Sequence, residues 1–122
     1  MHELGIVFHV IDSVEAIAVE NKVEEVTSVT LELGEVSGVI GEYLSDCWKW
    51  AITRSQYLKQ AKLDIVTIPA ITICEECEKT YETVKYGKIC PFCGSAHTHL
   101  VQGNEVNILQ IEVNEEDTHE EL

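Results

Sequence analysis

Two closely spaced pairs of cysteines constrain this chain more than any other feature. The segment CEECEKTYETVKYGKICPFCGS contains two Cys-x-x-Cys turns separated by twelve residues, formed by Cys74, Cys77, Cys90 and Cys93. Each turn directs two sulfurs toward one point, and a short hairpin between the turns would bring the points together. Four thiolates at about 2.3 Å from one ion make a closed tetrahedral zinc site. Proline and glycine suit the second turn, because Pro91 fixes φ and Gly94 tolerates a positive φ.

An iron site with the same ligands and a dithiol redox switch are the alternatives. Iron would use the same four thiolates, so metal analysis is needed to separate it from zinc. A redox pair usually occurs once, at the start of a helix in a βαβ unit. Because a closed four-cysteine site offers a substrate no open position, we expect the zinc to be structural. The fifth cysteine, Cys47, is expected to be a buried thiol on a helix.

The zinc segment is predicted to be an insertion into an α+β domain. Apolar residues recur every three or four positions over 4–18, which predicts a helix ending near Glu20. A strand with one buried face is expected in VTSVTLELGE, a second helix over 40–60, and two further strands in AKLDIVTIPA and EVNILQIEV. The predicted fold class is therefore α+β, with two helices on a three-stranded sheet and an inserted zinc-ribbon-like domain held by a four-cysteine site.

The predicted domain organisation follows from this order of elements. Residues 1–70 and 104–113 would form one discontinuous domain, and residues 71–103 the zinc-binding domain. The insertion is poor in apolar residues, so metal binding would have to replace a hydrophobic core. Residues 114–122, NEEDTHEEL, form an acidic tail that we expect to be disordered, with His119 as part of it.

The composition excludes several classes of function. The formal net charge of −14 would repel phosphate backbones, so nucleic acid is not an expected partner. No apolar run approaches the roughly 18 residues that span a bilayer, and the start does not resemble a signal peptide, so we expect a cytoplasmic protein with no membrane partner. No catalytic triad, P-loop or other phosphate-binding loop is present, and we expect no enzymatic activity.

The first residues, MHELG, form a candidate nitrogen chelate. The Met1 amine, the His2 amide nitrogen and the His2 ring can close a five-membered and a six-membered ring on one ion. Only ions that strongly favour square-planar nitrogen donors, Ni(II) and Cu(II), drive the loss of the amide proton. The fourth donor would have to come from Glu3 or from a histidine brought in by folding, for which His97, His99 and His9 are candidates.

Taken in order, MHELG, the CEEC–CPFCGS pair and GNEVNILQIEV resemble the hydrogenase nickel-incorporation protein family, the HypA/HybF metallochaperones. The resemblance extends from Met1 to about Val113. It implies a non-catalytic carrier that delivers Ni(II) to the [NiFe]-hydrogenase large subunit together with a nickel-associated GTPase, and that serves urease maturation factors in some bacteria. It also implies that His2 is the essential nickel ligand, with Glu3 beside it, and that the four paired cysteines hold zinc.

The alternative function is a zinc-ribbon adaptor that binds protein partners and transports no metal. It would hold one zinc ion and have no nickel-dependent step. Two tryptophans of the predicted second helix bear on partner binding. We expect Trp48 to pack in the core and Trp50 to be exposed, where it could mark a partner surface.

Overall fold

The computed structural model describes residues 3–114. The predicted acidic tail lies outside the described residues from position 115 onward. The elements, in chain order, are α1 (Glu3–Glu20), β1 (Val26–Gly34), α2 (Gly41–Ala51), a 3₁₀ turn (Ile52–Arg54), β2 (Lys62–Ile68), β3 (Ile71–Cys74), β4 (Thr80–Glu82), α3 (Thr83–Tyr86), β5 (Thr98–Gln102) and β6 (Val106–Val113). They confirm the α+β class.

The strands form two three-stranded sheets, with orders β2-β1-β6 and β4-β3-β5. In the first sheet, the Gly34 N–H donates to the Glu105 carbonyl, whereas the Ser28 hydroxyl contacts Glu112, so β1 and β6 run in opposite directions. The Glu35 N–H donates to Ile68, so β1 and β2 end at the same edge and are parallel. The connection between these parallel strands contains α2, as a βαβ crossover requires.

Helix α1 buries one stripe of apolar side chains. The buried residues are Ile6, Val7, Val10, Ile11, Val14 and Ala18. Their spacing of three and four residues is what one face of a helix offers to a core. The expectation that Leu4 belongs to this stripe is wrong, because its exposed fraction is 37%.

Strand β1 differs from the prediction of a single buried face. Val29 and Leu31 are buried as expected, but Ser28 and Thr30 on the opposite face are buried as well. The Ser28 hydroxyl donates a hydrogen bond of 3.0 Å to Glu112, which satisfies its buried polar group. Both faces of β1 are therefore buried at residues 28–31.

Helix α2 is shorter than predicted and ends at Ala51 instead of near position 60. Ser55 ends the helical segment, because its backbone is extended and its hydroxyl accepts hydrogen bonds from the N–H groups of Tyr57 and Leu58. A serine side chain that bonds nearby backbone groups in this way competes with continued helix. The same hydroxyl donates to Glu15 of α1 at 2.6 Å, which fixes the turn.

The second sheet is centred on β3, which pairs antiparallel with β4 and with β5. In register, Ile73 lies opposite Thr80 on one side and opposite His99 on the other. The predicted hairpin between the two cysteine pairs is wrong: that segment contains β4 and the short helix α3. Gly87, with φ +67, ends this helix.

The chain divides into two compact units. Within residues 3–114, one unit comprises residues 3–31, 39–66 and 107–114, and the other comprises residues 32–38 and 67–106. The second unit contains a close backbone approach, because a Cβ on Gly34 would lie 2.2 Å from the Gly103 oxygen. Glycine is required at both positions, since Gly103 also has φ +114. No helix within residues 3–114 has the length and apolar character to cross a membrane.

Candidate metal centre

The two Cys-x-x-Cys segments fold into matching turns. The Glu78 N–H donates to the Cys74 carbonyl, and the Gly94 N–H donates to the Cys90 carbonyl, each at 2.9 Å. The residue after each pair has a positive φ, +63 at Glu78 and +75 at Gly94. Gly94 therefore has the backbone conformation predicted for it, and Glu78 adopts that conformation at a cost of about 1–2 kcal/mol.

A second set of hydrogen bonds closes each turn. The Cys74 N–H donates to the Lys79 carbonyl and the Cys90 N–H to the Ser95 carbonyl, both at 2.9 Å. In addition, the Phe92 N–H points at the Cys90 sulfur, 3.4 Å away. Backbone donors of this kind stabilise a thiolate, so both turns are built to present charged sulfur.

The four sulfurs converge on one point. Their Sγ atoms all lie within 4.8 Å of one another. The Cys74–Cys93 and Cys77–Cys90 separations are 3.5 and 3.6 Å. A tetrahedron with metal–sulfur bonds of about 2.3 Å has edges of about 3.8 Å. The cluster fits structural zinc, for which the four cysteines would serve as ligands and the ion as a cross-link between the two turns.

Backbone N–H groups, burial and neighbouring sulfurs together lower the pKa values of Cys74 and Cys90 and raise that of Cys93. For Cys90, burial raises the pKa, but the N–H groups of Cys93 and Phe92 outweigh it and lower the pKa to about 7. The Cys77 N–H is the main cause of a lowered pKa at Cys74. The N–H of Ser95 lowers the pKa of Cys93, yet the Cys74 sulfur and burial raise it to about 12. A divalent cation would relieve this competition by stabilising all four thiolates together.

The cysteines also provide most of the core around them. Cys74, Cys90 and Tyr81 form a buried cluster, against which Cys77 packs. The Tyr81 hydroxyl donates to the Gly87 carbonyl at 2.9 Å, and its ring meets Tyr86 edge to face. With a single aromatic ring as its apolar part, this cluster is too small to stabilise the unit without a cross-link.

The candidate nickel residues Met1 and His2 lie outside the described residues, as does His119. Glu3 begins α1, and its carboxylate accepts a hydrogen bond of 3.2 Å from the Ile40 N–H, directly before α2. His9 lies on the exposed face of α1. A hydrogen bond therefore joins Glu3, the residue after His2, to Ile40 at the start of α2.

His97 and His99 are both exposed and both bound to carboxylates. The His97 Nδ1 lies 2.8 Å from Glu76, and the His99 Nδ1 lies 3.2 Å from Glu75. Glu75 and Glu76 are not among the site residues predicted from the sequence. Their position within the first cysteine pair was visible, but the contact depends on the pairing of β3 with β5, which the sequence pattern did not reveal.

The remaining residues considered from sequence lie on α2. Trp48 is buried and donates from its ring N–H to the Ala61 carbonyl at 2.9 Å, as expected of a core residue. Trp50 is 49% exposed, meets Phe8 edge to face and lies 4.4 Å from the Arg54 guanidinium, so its predicted exposure is confirmed. Cys47 is half-buried, not fully buried as predicted.

Together, the α+β fold and the four-cysteine cluster define a small protein built around a structural zinc site. A family model described as "Hydrogenase/urease nickel incorporation, metallochaperone, hypA" matches residues 1–113. The chain belongs to this HypA family of nickel metallochaperones for hydrogenase and urease, as the resemblance in its sequence indicated.

Individual relatives agree with the family match. The hydrogenase maturation factor HypA of Prosthecochloris aestuarii is 37% identical over 112 residues, covering 91% of this chain and 97% of the relative. That of Geobacter metallireducens is 34% identical, with 93% and 99% covered. The solution structure of the Ni metallochaperone HypA from Helicobacter pylori superposes with a TM-score of 0.70 at 27% identity, covering 93% of this chain and 97% of that one.

Proposed function

We propose that this protein is a nickel carrier that binds Ni(II) through its N-terminus and delivers it to the large subunit of a [NiFe]-hydrogenase. A nickel-associated GTPase would supply the energy for this step, since the chain has no nucleotide-binding motif. The observation that carries the proposal is the family match, which begins at residue 1 and therefore includes Met1 and His2.

The donors at the start of the chain suit nickel as cargo. The Met1 amine, the deprotonated His2 amide and the His2 imidazole would occupy three corners of a square plane. This arrangement selects Ni(II) or Cu(II) over zinc. We expect a dissociation constant in the micromolar range, about −8 kcal/mol, because a carrier must also release its ion. Protonation of the ring or the amide would assist the release.

The fourth donor is one of three residues, because His9, the other candidate, lies six residues, or about 9 Å, along α1 from Glu3. Glu3 follows His2 in the chain, and its carboxylate accepts a hydrogen bond from the Ile40 N–H. His97 and His99 each engage a carboxylate through Nδ1, which leaves Nε2 of each ring as a donor. A change in the visible absorption of the nickel complex on replacing one of these residues with alanine would identify the donor.

The decisive experiment compares His2→Ala with His9→Ala. Both variants remove one imidazole, and His9 is an exposed residue of α1, which begins directly after His2, so His9→Ala is the matched control. Calorimetry and visible spectra of the zinc-loaded, untagged chain should show a square-planar nickel site in wild type and His9→Ala. We expect His2→Ala to lose that site while zinc content and circular dichroism stay unchanged. Equal affinity and equal spectra for the two variants would refute the proposal.

A second experiment tests the amine. Residues added ahead of Met1 convert its amine into an amide, so the first chelate ring can no longer form in the same way. We expect such an extension to weaken nickel binding at least tenfold. Indifference to the extension would remove the amine from the site.

A zinc-ribbon adaptor without metal transport is the second candidate. The second cysteine turn favours it, because Ile89 and Phe92 are 52% and 58% exposed there and offer apolar surface to a protein partner. The adaptor function predicts one bound zinc ion and no square-planar nickel spectrum in any variant. The His2 experiment therefore separates the two functions.

A further inference from the structure

Helices α1 and α2, which belong to the same compact unit, leave an apolar groove open between them. The groove has a volume of about 330 Å³ and is lined by Leu4, Asp46, Cys47 and Trp50. Phe8 extends it along α1, because its ring meets the Trp50 ring edge to face at a centroid distance of 6.1 Å. Leu4 and Phe8 are each 37% exposed and Trp50 is 49% exposed. Adjoining exposed apolar side chains of this kind mark a surface for another protein.

Two opposite charges flank the groove on either side of Trp50. Asp46 lies four residues before Trp50 and lines the groove with it. Arg54 lies four residues after Trp50, in the 3₁₀ turn that continues α2, and its guanidinium is 4.4 Å from the centroid of the Trp50 ring. Side chains four residues apart are neighbours on a helix surface, about 6 Å apart along the axis. The three residues therefore form one row, with an anion, an aromatic ring and a cation in that order.

Both charges are available to a partner. Asp46 and Arg54 are exposed. Within the part of the chain that the structure describes, neither takes part in an ion pair. The guanidinium instead contacts the Trp50 ring, which leaves its outward N–H groups able to bind a carboxylate in bidentate fashion.

The row is complementary to itself. When two copies of α2 pack antiparallel about a two-fold axis at Trp50, Asp46 of each copy meets Arg54 of the other, because each lies four residues from the axis. Two ion pairs and the contact between the two tryptophan rings would then form together.

The charge of this row also suits a second copy. Each chain has a formal net charge of −14, which opposes association, but the charges of the row sum to zero. Repulsion between charges further apart than about 8 Å is largely screened at physiological ionic strength. This face is therefore one on which two acidic chains can approach each other.

We propose that the groove between α1 and α2 is a homodimer interface, with a second copy of this chain as its occupant. Trp50 lies at the two-fold axis and Asp46–Arg54 ion pairs lie on either side. Tryptophan and arginine are the residue types that contribute most to binding at interfaces. A standard interface buries about 800 Å² on each partner, and a few partly exposed side chains offer less, so we expect a dissociation constant in the micromolar range. The interface does not depend on the proposed nickel carrier function.

Charge reversal tests the antiparallel arrangement. Sedimentation velocity of the zinc-loaded chain at increasing concentration should show a growing dimer fraction. Asp46→Arg and Arg54→Asp each set like charges opposite each other and should weaken the dimer about tenfold or more. A mixture of the two variants should dimerise like wild type, because the introduced arginine then faces the introduced aspartate and the native Arg54 faces the native Asp46.

Two control variants make the same charge changes outside the row. Asp64→Arg and Lys59→Asp are at exposed positions of the same unit and should dimerise like wild type. Circular dichroism and zinc content of every variant are compared with wild type, so that a loss of folding is not read as a loss of dimerisation.

Four results would overturn the proposal. A wild-type chain that stays monomeric up to millimolar concentration would leave the groove to a different protein. A dimer that neither reversal weakens would have its interface elsewhere, as in an exchange of segments between copies. A mixture that stays as monomeric as each variant alone would contradict the antiparallel pairing. Equal weakening by the two control variants would show that net charge, and not the row, governs association.

Discussion

Replacing Gly34 with alanine should destabilise the fold strongly, although it adds a single methyl group. The new Cβ would lie 2.2 Å from the Gly103 oxygen and 2.6 Å from the Asn104 nitrogen. Real Cβ atoms do not approach other heavy atoms within 3.0 Å, so the backbone would have to move by about 0.8 Å. Gly103 cannot move away easily, because its own backbone is packed against Ala70. A Cβ on Gly103 would lie 2.4 Å from the Ala70 Cα.

The cost can be worked out from the contacts at this point. Overpacking a tight interior contact costs about 1–3 kcal/mol. The displacement also strains two hydrogen bonds, from the Gly34 N–H to Glu105 at 2.7 Å and from the Val36 N–H to Gly103 at 2.8 Å. Losing one such bond costs about 1–3 kcal/mol when its partner is left unsatisfied. Together these give an expected loss of about 2–6 kcal/mol, against a total stability of roughly 5–15 kcal/mol.

Urea unfolding of the zinc-loaded protein, followed by circular dichroism at a fixed metal concentration, measures this loss. Two controls make the same Gly→Ala change in open space. At Gly5, in α1, nothing lies within 4 Å, and alanine should stabilise the helix by up to about 1 kcal/mol. At Gly38, with φ +80 and open space, only the backbone penalty of about 1–2 kcal/mol applies. A loss at Gly34 no larger than that at Gly38 would refute the steric argument.

Two further predictions concern the core and the zinc site. Trp48→Phe removes the N–H that satisfies the buried Ala61 carbonyl and should cost about 2–3 kcal/mol in denaturant unfolding, whereas Trp50→Phe at an exposed position should cost under about 1 kcal/mol. Zinc affinity should fall as the pH is lowered, because below pH 7 even Cys90, with a pKa of about 7, is largely protonated and each thiol must lose its proton to bind. Chelator competition should show a fall on the order of 10³- to 10⁴-fold per pH unit below pH 7 and a shallower slope above it; affinity that is independent of pH would contradict the thiolate assignment.

The two helices, the three-stranded sheet and the paired cysteines could all be predicted from the sequence. Their signals are local: periodic apolar residues for α1, alternation for the strands, and two-residue spacing for each cysteine turn. The clearest errors have a tertiary cause. Helix α2 was predicted to be too long because the helical spacing continues past Ala51, whereas a 3₁₀ turn follows Ala51 and stops at Ser55, whose hydroxyl bonds Glu15 of α1. The second buried face of β1 was missed because Ser28 and Thr30 are polar and because Glu112, which satisfies Ser28, lies far along the chain.

The sequence by itself determined the kind of chemistry this chain can perform. Residue type and spacing fix which atoms are able to bind a metal ion, and each cysteine pair, like the proposed His2 chelate, spans no more than four adjacent positions. Only the tertiary structure decided which groups lie beside those ligands. It paired His97 with Glu76 and His99 with Glu75, and it set Glu3 against the Ile40 N–H. Contacts between residues twenty or more positions apart depend on strand register and helix packing, which no local pattern encodes.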